Sequence, residues 1–245
     1  MNTPQLTIVF FVLLISQSCR PLYVPNIHNV PLLKEKKDVS ITLSPNDLQG
    51  AYAVSDNIGI MLNLYRNNVN QAFDFEEDVS RSFCDFGVGY FKEFGKFGVF
   101  EIYGGYGIGG LKFEESGGAR NYYSASTSKF FVQPNLAFSY KIVDFVFSTR
   151  LVSLNLNNPD LTRYGGRNVF ETDLSEVHEY SHQFIEPGVT LKIGWKQVKV
   201  FWQTILTIPL QEKNNIVESV PMMYLGVHLN FSKRLKDDIP KRLID

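Results

Sequence analysis

The sequence predicts an all-β fold, an antiparallel transmembrane β-barrel of about ten strands, with eight strands as the alternative count. Three observations support this prediction. Apolar residues alternate with polar residues or glycine over long stretches, glycine and charge share one face of those stretches, and short connections alternate with long ones. Because successive strand residues point to opposite faces, such alternation gives each strand two chemically different sides. Short turns at one end and long loops at the other are typical of transmembrane barrels.

The clearest element is the stretch of residues 81–113, which predicts one β-hairpin with a short turn. One face carries Ser82, Cys84, Phe86, Val88 and Tyr90 in the first arm, and Phe100, Ile102, Tyr106 and Ile108 in the second. The other face carries Arg81, Phe83, Asp85, Gly87, Gly89 and Phe91, followed by Glu101, Tyr103, Gly105, Gly107 and Gly109. Glycines with a few charges suit the cramped interior of a small barrel, so we expect the apolar face to contact lipid. A soluble β-sandwich or calycin, which would bury its apolar face, is the alternative.

The remaining strands follow the same alternation. We expect them at residues 38–43, 48–54, 58–65, 129–140, 145–155, 181–195, 198–210 and 223–231. Pro134 predicts a bulge or a register break within its strand. Short turns near residues 56, 95, 143 and 196 are expected on the periplasmic side, and longer loops at 66–79, 114–126, 156–179 and 211–219 outside. Tyr90, Phe91, Phe94 and Phe97 predict an aromatic girdle near the central turn.

Composition bounds the classes of function. The 245 residues include 24 lysines and arginines against 25 aspartates and glutamates, so nothing recommends a nucleic-acid partner. A length of this order is common for a single all-β barrel domain, here expected at residues 38–232. The sequence shows no transmembrane helix for the mature chain.

The amino-terminal region predicts export. Residues 6–15 are an apolar run that is too short to span a bilayer but suits the core of a secretory signal, which we place at residues 1–18. Ser16, Gln17 and Ser18 precede Cys19 and resemble a lipobox, in which the cysteine becomes the lipidated first residue. The alternative is an ordinary cleaved signal followed by an incidental cysteine. Lipidation of Cys19 would also leave Cys84 single, so no disulfide is expected.

Residues 19–37 are expected to form a lipid-anchored periplasmic tether or a plug, because Pro21, Pro25 and Pro31 prevent any regular element. Residues 23–36 read YVPNIHNVPLLKEK. A stretch of this type directly after a lipobox cysteine, followed by strands, resembles small lipid-anchored outer-membrane β-barrel proteins of Gram-negative bacteria. The resemblance implies a fold and an outer-membrane location but supplies no catalytic residues. Both chain ends, including a charged tail at residues 233–245, are then expected on the periplasmic side.

The face predicted to line the lumen carries charges of both signs. They are Arg81, Asp85, Glu101, Lys129, Arg150, Glu186 and Lys192, with Lys199 and His228 beside them. The first interpretation is a network that fills a narrow barrel, because small barrels have interiors just wide enough for side chains. The alternative is a selective pore.

His178, Glu179 and His182 match the H-E-x-x-H motif of zinc proteases. That motif needs both histidines on one helical face, but His182 falls where an alternating strand begins. In an extended strand the two histidines would lie ~13 Å apart, too far for one zinc ion. We therefore expect no metal and no cofactor, with a zinc hydrolase kept as the alternative.

Together these features predict a non-enzymatic, lipid-anchored barrel protein of the bacterial outer membrane. Its partners would be outer-membrane lipid and an envelope protein, a surface polymer or a small ligand held at the external loops. A narrow channel or transporter is the alternative.

Overall fold

In the computed structural model, residues 22–69, 77–115, 120–164, 181–195, 197–211, 216, 219 and 221–232 are described. Their strands are β1 (Val39–Leu43), β2 (Asp47–Ala53), β3 (Ile58–Val69), β4 (Glu77–Phe94), β5 (Gly98–Glu115), β6 (Arg120–Tyr140), β7 (Val143–Tyr164), β8 (His182–Gly194), β9 (Val198–Leu206), β10 (Ile208–Pro209) and β11 (Pro221–Phe231). None of these residues forms a helix with the length and apolar character needed to cross a bilayer.

The strands close into an antiparallel barrel. Each strand from β1 to β8 pairs with the next, β8 pairs with β9, β9 with β11, and β11 with β1. Ten strands form the wall, and the two-residue β10 adds to β8 as an extra strand. The predicted all-β fold and strand count are confirmed. Closure gives the wall strands partners on both sides, which removes the exposed edges that an open sheet presents.

The central hairpin is confirmed as β4 and β5, with Asp85 opposite Gly107 and Cys84 opposite Ile108. The connection is three residues long, and Gly95 has a φ of 57°. This left-handed conformation favours glycine, which has no Cβ to clash. Phe94 lies 6.1 Å from Phe138 and Phe97 lies 5.4 Å from Tyr140, measured between ring centroids, so aromatic side chains do cluster outside this turn. Phe91 does not join the aromatic girdle as predicted, because it is fully buried inside the barrel.

The two faces separate as the alternation predicts. Large apolar side chains point outward from every wall strand, and they include Phe86, Ile108, Phe130, Phe147, Val200 and Leu225. The inward positions are buried and mostly polar, charged or glycine. The interior therefore combines many buried polar and charged groups with a cluster of buried apolar side chains that includes Met61, Phe83 and Phe131.

Several strands extend further than predicted. β3 continues to Val69, β4 begins at Glu77, β6 begins at Arg120 and β7 continues to Tyr164, so much of the expected loops at 66–79, 114–126 and 156–179 is strand. The connection between β5 and β6 shrinks to residues 116–119. Main-chain pairing needs no apolar side chains, so the ladder continues where the outward positions turn polar and the alternation is lost.

The prediction of a bulge or register break at Pro134 is wrong, although the ladder between β6 and β7 is interrupted at Gln133 and Pro134. Val132 faces Leu151 and Leu136 faces Phe147, so the pairing of β6 with β7 keeps the same register on both sides of the proline. The shift lies instead between Ser124 and Ser126. Proline removes one donor from the ladder, but the strand absorbs that loss without sliding.

Residues 22–33, called the plug below, run through the lumen as an extended chain, and all but residues 22 and 24 are buried. One end of the barrel, called the loop end below, carries the connections at 44–46, 70–76, 116–119, 165–181 and 207–220. The other end, called the short-turn end, carries the connections at 54–57, 95–97, 141–142 and 195–197. The Tyr23 amide donates to the carbonyl of Ile216 at the loop end, over 2.9 Å. At the short-turn end the Lys37 amide donates to the carbonyl of Ala53, over 2.9 Å.

The first described residue and the end of the last wall strand lie at opposite ends of the barrel. Residue 22 lies at the loop end, whereas β11 ends at Phe231 beside the short-turn end, where it pairs with Val39. The expected placement of both chain ends on one side took an even number of strands, with residues 19–37 as a tether or a plug. The plug adds one crossing of the lumen before β1, so residue 22 lies at the end of the barrel opposite to the start of β1. The chain ends themselves lie outside the described residues.

Candidate functional site: the filled lumen

All seven charged residues predicted to line the lumen lie inside the barrel and are buried. They are Arg81, Asp85, Glu101, Lys129, Arg150, Glu186 and Lys192, and they come from β4, β5, β6, β7 and β8. Alternate side chains of a strand point to the same face, and each of these residues occupies a position whose side chain points inward. Some of them contact one another directly, as Lys129 and Asp85 do, and most of them also contact the plug.

Asn26 of the plug joins an acidic and a basic residue of the wall. The Lys129 ammonium lies 2.9 Å from Asp85 Oδ2 and donates to Asn26 Oδ1 over 2.9 Å. The Asn26 side-chain amide in turn donates to Asp85 Oδ2 over 2.9 Å. Both charged side chains are only 1% exposed, so the pair is almost completely removed from water. Additional hydrogen bonds help to offset the cost of burying such a pair, and the asparagine supplies one to each partner. Among the described residues, Asp85 Oδ1 has no hydrogen-bond partner.

Arg150 is the centre of the largest group of contacts. Its guanidinium donates to Asn26 Oδ1 over 2.9 Å, to the Ile27 carbonyl over 3.2 Å, and to Gln133 Oε1 over 2.8 and 3.0 Å. Glu186 Oε2 lies 3.8 Å from the same guanidinium. A planar group with five N–H donors can serve several acceptors at once, so Arg150 fixes the plug to two neighbouring strands.

Glu186 also contacts two plug side chains. The Tyr23 hydroxyl donates to Glu186 Oε1 over 2.9 Å, and His28 Nε2 lies 3.7 Å from Glu186 Oε2. The Tyr23 ring stacks on Phe184 at 5.1 Å between centroids and meets Phe83 edge-on at 5.8 Å. Tyr23 therefore anchors the loop end of the plug by both its ring and its hydroxyl.

The short-turn half of the plug is held mainly by its backbone. Glu101 Oε1 accepts from the Leu33 amide over 3.1 Å, and Lys192 donates to the Val30 carbonyl over 2.6 Å. Gln133 and Asn135 both donate to the Asn29 carbonyl, over 2.7 and 3.3 Å. These contacts pair buried main-chain groups that would otherwise lack partners in a segment without regular structure.

Neutral side-chain amides of the wall also hold the plug through hydrogen bonds. Gln203 accepts from the His28 amide over 2.8 Å and donates to the His28 carbonyl over 3.2 Å, as a neighbouring strand would. Gln49 donates to the Ile27 carbonyl over 2.7 Å, and Asp47 accepts from the Ile27 amide over 3.3 Å. Sequence analysis did not single out these residues, although their inward parity was visible in the alternation.

Two glycines leave room for the plug. A Cβ at Gly59 would lie 2.7 Å from Leu33 Cδ1, and a Cβ at Gly188 would lie 3.1 Å from His28 Nδ1. The first distance is shorter than real Cβ contacts and the second is tight, so a side chain at either position would require the plug to shift.

The zinc-protease motif is only partly described. His178 and Glu179 lie outside the described residues, and so does Cys19. His182 is the first residue of β8, it is buried, and its ring centroid lies 6.4 Å from that of Phe184. Within the described part of the chain, no group of three or more histidine, cysteine, aspartate or glutamate residues could hold a metal ion. Cys84, on β4, is a free thiol.

The arrangement holds an extended segment of the same chain inside the barrel. The wall supplies donors and acceptors from several strands, and the plug meets them with carbonyls, amides and the side chains of Tyr23, Asn26 and His28. Comparison with models of known protein families and with curated protein sequences finds no match.

Proposed function

We propose that this chain is a non-enzymatic lipoprotein barrel of a bacterial outer membrane, closed by its own plug and acting through the connections at its loop end. The observation that carries the proposal is the plug, which fills the lumen and occupies the wall charges that a selective pore would need. The surface left for a partner is then the set of connections at the loop end. A partner there would be an envelope protein, a surface polymer or a small ligand.

The outward surface supports a membrane location. Phe86 is 52% exposed, Phe130 is 59% exposed and Val200 is 60% exposed, and every wall strand carries exposed apolar side chains of this kind. Soluble monomers rarely expose apolar patches of more than a few hundred Å², so such a surface favours contact with lipid. Outward aromatic pairs near the short-turn end match the girdles found where barrel strands leave the hydrocarbon. The apolar run and Cys19 support export and lipid anchoring.

The proposal is tested by pairing a conductance measurement with a binding measurement. Purified full-length protein in planar bilayers is expected to give no steady ion conductance, because the plug fills the lumen. Residues 166–179, most of the longest connection at the loop end, are then replaced by a short glycine-serine linker. The two proteins are compared for binding to isolated lipopolysaccharide and to isolated peptidoglycan. We expect the wild type to bind one of these polymers and the loop variant to lose most of that binding.

The matched control replaces Lys141 and Ile142, at the short-turn end, with glycine and serine, and it should bind as the wild type does. A large, steady conductance from the wild type would contradict the proposal and support the channel. Equal binding by the loop variant and the wild type would contradict a role for that connection.

A further inference from the structure

The plug runs in one direction through the barrel, with Leu22 at the loop end. Arg81 Nε donates to the Leu22 carbonyl over 2.9 Å, and Arg81 lies in the part of β4 nearest the loop end. Glu101, which accepts from the Leu33 amide, lies only three residues from the start of β5 at the short-turn end. The plug thus enters at the loop end and leaves at the short-turn end, directly before β1.

The chain before the plug is too short to return to the other end. Cys19 precedes Leu22 by three residues, which reach about 10 Å when fully extended. β5 has 18 residues, so at ~3.3 Å per residue and a tilt of ~40° the wall is about 45 Å tall. The interior is also occupied by the plug itself, which leaves no second path through the lumen for the same chain.

We propose that the amino end of the mature chain, with the lipid on Cys19, lies on the loop side of the membrane and inserts into the surface leaflet. This inference rests on the proposed function, since it takes the barrel to cross an outer membrane with its loop end outward. It reverses the usual expectation for a lipoprotein, whose acyl chains would lie in the periplasmic leaflet.

The arrangement also explains how the plug is retained. At one end the plug continues within six residues into β1, which is hydrogen-bonded to both β2 and β11. At the other end a lipid held in the surface leaflet prevents the segment from being drawn down through the lumen. The plug is then fixed at both ends, in addition to its contacts with Arg150, Lys192, Glu101 and Gln203 along the wall.

The test introduces one new cysteine at a time into the full-length chain, in a Cys84→Ser background, and expresses each variant in a Gram-negative host. The three variants are Arg20→Cys before the plug, Gln71→Cys in the connection between β3 and β4, and Lys96→Cys in the turn between β4 and β5. Intact cells are treated with a membrane-impermeant maleimide. Permeabilised cells receive the same treatment. Folding of each variant is checked by the heat-dependent shift in gel mobility that barrels show.

We expect the thiols at positions 20 and 71 to be labelled to the same extent on intact cells, and the thiol at position 96 only after permeabilisation. Labelling at 71 but not at 20 on intact cells would overturn this inference and leave the proposed function standing. Labelling at 96 but not at 71 on intact cells would overturn the proposed orientation and the inference with it. An epitope inserted between Arg20 and Pro21 provides a second readout if the cysteine variant folds poorly. Detection of that epitope on intact cells would support the inference, and its detection only after permeabilisation would overturn it.

Discussion

Replacing Arg150 with alanine is expected to lower the free energy of unfolding of the barrel by about 3 to 5 kcal/mol, the cost of removing one partner from a buried charged pair. The guanidinium is buried and donates hydrogen bonds to Asn26, Ile27 and Gln133. Glu186 lies 3.8 Å from it. Alanine would leave Glu186 without its cationic neighbour on β7. It would also remove donors from plug groups that have no access to water, and this adds to the cost.

The measurement is urea unfolding of purified protein in detergent micelles, followed by the heat-dependent gel shift and by tryptophan fluorescence. Arg150→Lys retains the charge but not the planar fork, so its loss should lie between those of the wild type and Arg150→Ala. Lys112→Ala removes an exposed basic side chain from β5 and is the matched control, expected to change stability by less than about 0.5 kcal/mol. Unchanged stability of Arg150→Ala would contradict the description of the lumen as a fitted network.

Two adjacent glycines on β5 should respond in opposite ways to alanine. A Cβ at Gly105 would overlap the ring of Phe131 and the carbonyl oxygen of Phe86, whereas a Cβ at Gly104 meets nothing closer than the Phe131 carbonyl oxygen at 4.0 Å. Overpacking a closed interior costs about 1–3 kcal/mol, so Gly105→Ala should be destabilising by that amount. Gly104→Ala should be neutral or slightly stabilising, because alanine loses less conformational entropy on folding.

Each substitution serves as the control for the other, since they share a strand and a chemical change and differ in the face they occupy. The same urea experiment measures both. Equal effects of the two substitutions would contradict the assignment of Gly105 to the interior and Gly104 to the outside.

The alternation of residue types was sufficient to predict the wall. Period-two alternation in β4 and β5 placed Asp85 and Glu101 inside and Phe86 and Ile108 outside, because a strand has only two faces and the apolar face carried no charge over its central part. The ends of the strands were not predictable in this way. Beyond the apolar band the outward positions become polar, so no contrast between faces remains even though the ladder continues.

The path of the plug could not be predicted from the sequence. Its prolines exclude regular structure, but proline content does not distinguish a tether outside the barrel from a chain within it. The pairing of Gln203 with both main-chain groups of His28 depends on two segments that are 175 residues apart in the sequence. Neutral amides of this kind lack the contrast in charge that made Arg150 and Glu186 conspicuous.

The most direct test of the central claim, that the outward face of this barrel contacts membrane hydrocarbon, uses the two tryptophans of the chain. Trp202 lies on the outward face of β9, opposite Leu225. Trp195 is the first residue of the connection between β8 and β9 at the short-turn end, and it is 81% exposed. Trp195→Phe and Trp202→Phe leave one fluorophore each, and both are reconstituted into bilayers containing brominated lipids. We expect Trp202 to be quenched most by bromine deep in the acyl chains and Trp195 by bromine near the headgroups. Quenching of both by aqueous iodide, with no response to either brominated lipid, would contradict a membrane-spanning barrel.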